Sequence, residues 1–111
     1  MLALGRSGFL QPSFSIPLRR LPMNFRWSER KARENQSKHN VAFPEALDIF
    51  YDELSSTSPD PDHSAGESRY LIFGKSSRNR YLVVSYSERG ATISIISARP
   101  MTRSEIRAYE Q

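Results

Sequence analysis

At 111 residues and 38% hydrophobic content the chain has room for one domain with a modest core, burying ~60–70% of the surface of its unfolded state, and a second domain is excluded. No run approaches the roughly 18 apolar residues of a membrane span, and the absence of cysteine removes both a disulfide framework and a thiolate metal site. The formal net charge of +4 hides a segregated pattern: a basic front, an acidic middle from Glu45 to Glu67 holding seven carboxylates and no Lys or Arg, and a basic back.

Residues 1–22 contain Pro12, Pro17 and Pro22 and no sustained period, which argues against a helix or strand of useful length. Their acid-poor composition superficially matches an organellar transit peptide, without the apolar run of a secretory signal. A well-formed domain start follows Met23, so residues 1–22 are expected to be a disordered upstream extension, with a single domain over 23–111.

Asn24 to Trp27 reads as a short extended piece, and Ser28 as the N-cap of a polar helix ending near Lys38. Trp27, Lys31, Asn35 and Lys38 or His39 fall on one side of that helix, a face whose polar members core burial alone does not explain. Val41 and Phe43 lead into a second helix with Pro44 in its first turn and an apolar stripe of Ala46, Leu47, Ile49 and Phe50, stopping near Tyr51 to Glu53. The stretch LSSTSPDPDHSAGES follows as a long polar loop. Asp60, Asp62, His63 and Glu67 within it raise a cation site, but the ligand count and the closing glutamate of a calcium loop are missing, so no metal is assigned. The acidic loop can instead cover the basic sheet that follows.

Three runs rich in Tyr, Ile, Val and Phe then occupy residues 70–75, 81–88 and 91–99, joined by the turns Ser76–Arg80 and Arg89-Gly90; the short connections predict an antiparallel meander. Thr102 with Glu105 three residues on is a capping box, opening a short C-terminal helix from Arg103 to about Glu110. From Arg69 to Tyr109 eight basic residues face two acidic ones, and seven of the eight are arginine, whose planar fork matches phosphate oxygens. The plain alternative is that arginines decorate the solvent face of any small sheet.

The order Phe25, Trp27, Lys31, Asn35, Lys38-His39, Val41, Phe43, Glu45, Ala46, then Asp60, His63, Glu67, Arg69, then Ser97-Ala98-Arg99, Thr102, Glu105 and Tyr109 resembles the BrnT-type toxins of bacterial type II toxin-antitoxin pairs, over residues 23–111. Ser28, where family members usually carry an acid, and Pro44 depart from the pattern. The resemblance implies an α+β, RelE-like fold, with two N-terminal helices packed on a small antiparallel meander and a short C-terminal helix. It implies a cytoplasmic, metal-independent RNA endonuclease that needs no cofactor and inhibits translation. It also implies a BrnA-like ribbon-helix-helix antitoxin, with operator DNA bound only through the antitoxin complex.

Metal-free RNA cleavage needs a base for the 2′-hydroxyl, charge stabilisation at phosphorus and an acid for the leaving oxygen. His39 is either a helix C-terminal cap or the proton-transfer group, with Glu67 the runner-up base. Arg99 ends the last strand and Tyr109 lies in the following helix, so the two can converge at the sheet's open end; the phenol is otherwise a core anchor. Lys38, Arg69, Arg80 and Arg103 are the expected RNA-binding cations, with Arg69 and Arg80 on the face away from the packed helices. A non-catalytic module binding nucleic acid or protein through the same arginines is the competing reading.

Overall fold

The structure is a computed structural model that describes residues 23–61 and 68–111. Residues 1–22, and with them the expected disordered extension, lie outside the described residues, as do Asp62, His63 and Glu67. The elements in chain order are β1 (Asn24–Arg26), α1 (Glu29–His39), α2 (Phe43–Ala46) running into a 3-10 turn (Leu47–Tyr51), β2 (Ser56–Pro59), β3 (Arg69–Lys75), β4 (Tyr81–Arg89), β5 (Thr92–Pro100) and α3 (Arg103–Tyr109).

The three expected strands form the antiparallel meander β3-β4-β5, but the sheet is larger and mixed. Its five strands run β1-β5-β4-β3-β2. β1 adds to β5 in parallel, Phe25 opposite Ile93, and β2 adds to β3 antiparallel, Thr57 opposite Ile72. The segment expected to be loop throughout therefore carries an edge strand. Its sequence, Ser-Thr-Ser-Pro, has no apolar alternation; pairing to β3 supplies what propensity does not.

Strand alternation gives the sheet two unlike faces. Ile72, Leu82, Val84, Tyr86, Ile93, Ile95 and Ala98 point to the helix layer and pack on Val41, Phe43, Ala46, Ile49 and Phe50. Each large side chain fully buried there contributes roughly 1.5–3 kcal/mol. Phe50 bridges the layers, its ring edge-on to both Phe25 at 5.2 Å and Tyr86 at 4.9 Å between centroids. Gly74 allows the close approach of the 3-10 turn: a Cβ there would sit 2.8 Å from Ile49 Cγ2 and 3.0 Å from the Asp52 carboxylate.

α1 starts as the sequence dictates, the Ser28 hydroxyl accepting from the Lys31 N–H, and ends at Asn40 in the left-handed conformation. Asn35 accounts for the polar face that core burial did not explain. It is buried, donates to the carbonyls of Val41 and Ala98 at 2.9 Å each, and accepts from the Ala98 N–H at 3.0 Å. Its amide thus substitutes for a peptide group and fixes α1 over β5. α3 lies on the opposite face of the sheet, opened by the expected capping box between Thr102 and Glu105.

Candidate nucleic-acid interface

Register places the open face of the sheet in rows running across the strands. Phe73, Val83 and Arg99 form one row; Leu71, Ser85 and Ser97 the next; Arg69, Ser87, Ser94 and Arg26 a third; Arg89, Thr92 and Asn24 the last. Between the second and third rows the β4-β5 register shifts, Ile96 being the extra residue of a bulge. α3 covers only the first row, its Ala108 and Tyr109 lining a groove with Phe73. The rest of the face, rich in hydroxyls and bounded by arginines, has no helix over it among the described residues, though Ser85 in the second row is buried.

Arg99 stands where α3 meets the sheet. Its Nη1 and Nη2 donate to the two Glu105 oxygens at 2.9 and 3.0 Å, and Nη1 also donates to the Pro100 carbonyl at 3.1 Å. The bond from Arg99 holds the Glu105 carboxyl at about 2, well below its usual 4.5, against the opposing effect of burial; the Thr102 N–H adds to the lowering. A guanidinium has a second, side-on fork at Nε and the other Nη2 proton. Among the described residues that fork of Arg99 has no protein acceptor, and the side chain is 38% exposed.

Tyr109 shares α3 with Glu105 but not its partner. Its hydroxyl donates to Asp52 at 2.5 Å, and its ring stacks edge-on with Tyr81 at 5.8 Å. Burial, then the Asp52 carboxylate, pushes the phenol far above its ordinary pKa, so it remains a neutral hydroxyl. Burial works to raise the Asp52 carboxyl too, but bonds from Tyr109 and from the Leu54 and Lys75 N–H groups outweigh it and leave the group below its usual range. Arg99 and Tyr109 are each committed to a different carboxylate, though Glu105 and Tyr109 line the same groove.

Arg80 differs from expectation. Instead of facing away from the helices it reaches into their layer, its Nε and Nη2 donating to Glu45 at 3.0 and 2.7 Å and its Nη2 also to the Asn40 carbonyl at 2.9 Å. Glu45, buried in α2, also accepts from the Ser76 hydroxyl at 2.8 Å, and the Arg80 bond keeps its carboxyl below the usual range despite burial. The physical reason is placement. Arg80 precedes β4 two residues before Leu82, so it takes the helix-side parity of that strand.

Lys38 and the half-buried His39 lie in the last turn of α1, next to Asn40. Through the Arg80–Asn40 bond they stand at the end of the sheet where β5 finishes, which is also the end of Arg99 and the exposed Arg103. The sheet thus separates them by face but not by end. Arg69 does lie on the open face, opposite Ser87, but at the other end. Its row also holds Arg26, and the next row Arg89, two arginines that sequence reasoning did not single out. The available signal was strand alternation, which pairs Arg89 with Ser87 and Ser85 on one side of β4. Glu67 lies outside the described residues. Among the described residues no three His, Asp or Glu side chains come together as a metal site, and no helix is long and apolar enough to cross a membrane.

Comparison with known proteins completes the picture. Residues 27–105 match the sequence model of the family described as the ribonuclease toxin, BrnT, of type II toxin-antitoxin systems. The 1.1 Å crystal structure of the Brucella abortus ribonuclease toxin, BrnT, is similar in fold, with a TM-score of 0.60 and 23% sequence identity over 74% of this chain and 100% of that one. No curated protein sequence matches the chain.

Proposed function

Because the chain belongs to the BrnT family of ribonuclease toxins of type II toxin-antitoxin systems, we propose that it cleaves RNA without a metal, in the cytoplasm, and so inhibits translation and growth. The observation that carries this reading is the guanidinium of Arg99. Glu105 holds it end-on, and its side-on fork has no acceptor among the described residues, which leaves an already oriented donor for an RNA phosphate. Such a donor needs no reorganisation as negative charge builds on phosphorus.

In this reading the RelE-like layout, with α1 and α2 on one face and α3 on the other, leaves RNA to pass across the end of the sheet where β5 finishes. Arg103 and Lys38 contact the backbone there, and His39 serves as the proton-transfer group, with Glu67 as the alternative base. Tyr109, as a neutral hydroxyl held by Asp52, supports α3 and offers a ring edge rather than a base. The antitoxin is a ribbon-helix-helix protein of the BrnA kind, which neutralises the toxin and carries the complex to operator DNA.

The test is incubation of the purified chain with RNA in excess chelator. Shortened products ending in a 5′-hydroxyl and a cyclic phosphate are expected. Retarded but uncleaved RNA would leave only a binding module, and activity restored by added metal would overturn the metal-free mechanism. Expression of the chain should arrest growth, and co-expression of the antitoxin should relieve the arrest.

A further inference from the structure

At the end of the open face remote from Arg99 the sheet forms a cleft of about 450 Å³. Arg26 from β1 and Arg89 from β4 line it, with Ser87, Ser94 and Thr92 as its floor and Glu88 at its margin. Both arginines are exposed, and no contact with another described side chain accounts for either. Here Ser87 and Ser94 are paired neighbours in the sheet, on a part of its surface that no helix of the described residues covers. Guanidinium groups and hydroxyls are the donors that proteins use on phosphate oxygens, and among the described residues no aromatic ring lines the cleft to stack on a base.

We infer that this cleft is a second RNA site, binding the sugar-phosphate backbone of a single strand several nucleotides away from the phosphate held at Arg99. The separation follows from the strand. Val83, in the row of Arg99, lies four residues from Ser87 and six from Arg89, about 13–20 Å at the rise of an extended chain. The intervening row of Leu71, Ser85 and Ser97 connects the two sites without an acidic side chain. Net positive charge in the cleft selects a polyanion over a basic peptide. The lack of a stacking ring makes the contact indifferent to base identity. The cleft therefore sets affinity and reach along the strand, while any sequence preference arises near Arg99.

The inference rests on RNA being the substrate, so its test reads binding without cleavage. The full chain is titrated into a fluorophore-labelled, uncleavable 2′-O-methyl single-stranded RNA between about 0.05 and 0.2 M salt. Two phosphate contacts account for about 1.4 of the slope of log affinity against log salt, which at 0.1 M corresponds to about 25-fold in affinity. The double variant R26A/R89A is expected to lose that slope and that affinity. Arg33→Ala, which removes an exposed cation of α1 in the helix layer, is expected to change neither. Glu88→Gln should tighten binding, and it guards against a double variant that merely misfolds. An unchanged slope in R26A/R89A, with wild-type RNA cleavage intact, overturns the cleft and leaves the nuclease reading standing. Failure of the wild-type chain to bind RNA overturns both. Unaltered RNA binding with lost affinity for the ribbon-helix-helix antitoxin would make the cleft a protein-docking surface instead.

Discussion

Two arginine-glutamate pairs stand at the same end of the sheet, one on each face, and they differ in what they leave over. Glu45 takes the side-on fork of Arg80, whose Nη2 also caps the Asn40 carbonyl, and the carboxylate itself is only 6% exposed. The pair joins the end of α1, the start of α2 and the β3-β4 turn, where Ser76 completes the network. Glu105 takes the end-on fork of Arg99 on the opposite face, where the arginine side chain is 38% exposed and its side-on fork has no acceptor among the described residues. The same bidentate chemistry is a structural joint in one case and a mount for a reactive group in the other. Which fork the carboxylate occupies decides between them.

Removing each arginine separates the two roles. Arg80→Ala leaves the buried Glu45 carboxylate with only the Ser76 hydroxyl and a longer contact to the exposed Arg78 at 3.9 Å. Breaking a buried pair from one side costs about 3–5 kcal/mol, so chemical denaturation should show a loss toward the lower end of that range. Arg99→Ala leaves Glu105 in contact with solvent and with the Thr102 N–H, so stability should fall by no more than about 1 kcal/mol. RNA cleavage by Arg99→Ala should nevertheless drop on the order of 10²–10³-fold, the typical cost of a lost oriented donor at a charge-developing centre. If Arg99→Ala unfolds the chain, or if a folded Arg80→Ala variant loses cleavage while stability holds, the distinction between joint and mount is wrong.

How far these roles were legible in the sequence depends on the range of the interaction. The Ser28 cap, the Thr102-Glu105 box and the three apolar strands are local patterns, and each appears where the sequence places it. β1 was legible as a short extended piece but not in its parallel pairing, and β2 was not legible at all, because each is three or four residues long and is held by a partner far along the chain, Ile93 for Phe25 and Ile72 for Thr57. Arg80 was misread for the same reason. Its destination is Glu45, 35 residues away, and only the packing of α2 against the β3-β4 turn brings the two together. Asn35 stood on a polar face that core burial alone did not explain, and its partner Ala98 lies 63 residues on. The arginines of the open face were visible in composition, but their rows are a property of register, which the bulge at Ile96 shifts partway along β5.

Acid titration sharpens the comparison with the smallest of the expected effects. Glu105 has a folded-state pKa of about 2, lowered from 4.5 first by the bond from Arg99. A carboxyl with a depressed folded pKa adds stability that is complete above the unfolded value and is lost as pH falls through the folded one. The contribution of Glu105 should thus be present above about pH 4.5 and vanish toward pH 2, a loss of about 1 kcal/mol after allowing for side chains 25% and 38% exposed. Glu45 and Asp52 are lowered as well and titrate in the same acid range, so the useful quantity is a difference between proteins rather than one curve. The stability gap between wild type and Glu105→Gln, from denaturant melts at several pH values, should be constant from pH 5 upward and close as pH approaches 2. Near neutral pH, Glu105→Gln should also cleave RNA roughly tenfold more slowly, less than the loss in Arg99→Ala, because the amide still offers one acceptor to the guanidinium but no longer charges or fixes both of its ends. A gap that stays open at pH 2 would show that Glu105 stabilises α3 through its capping bond to Thr102 alone, and Arg99 would then be aimed by something other than its carboxylate.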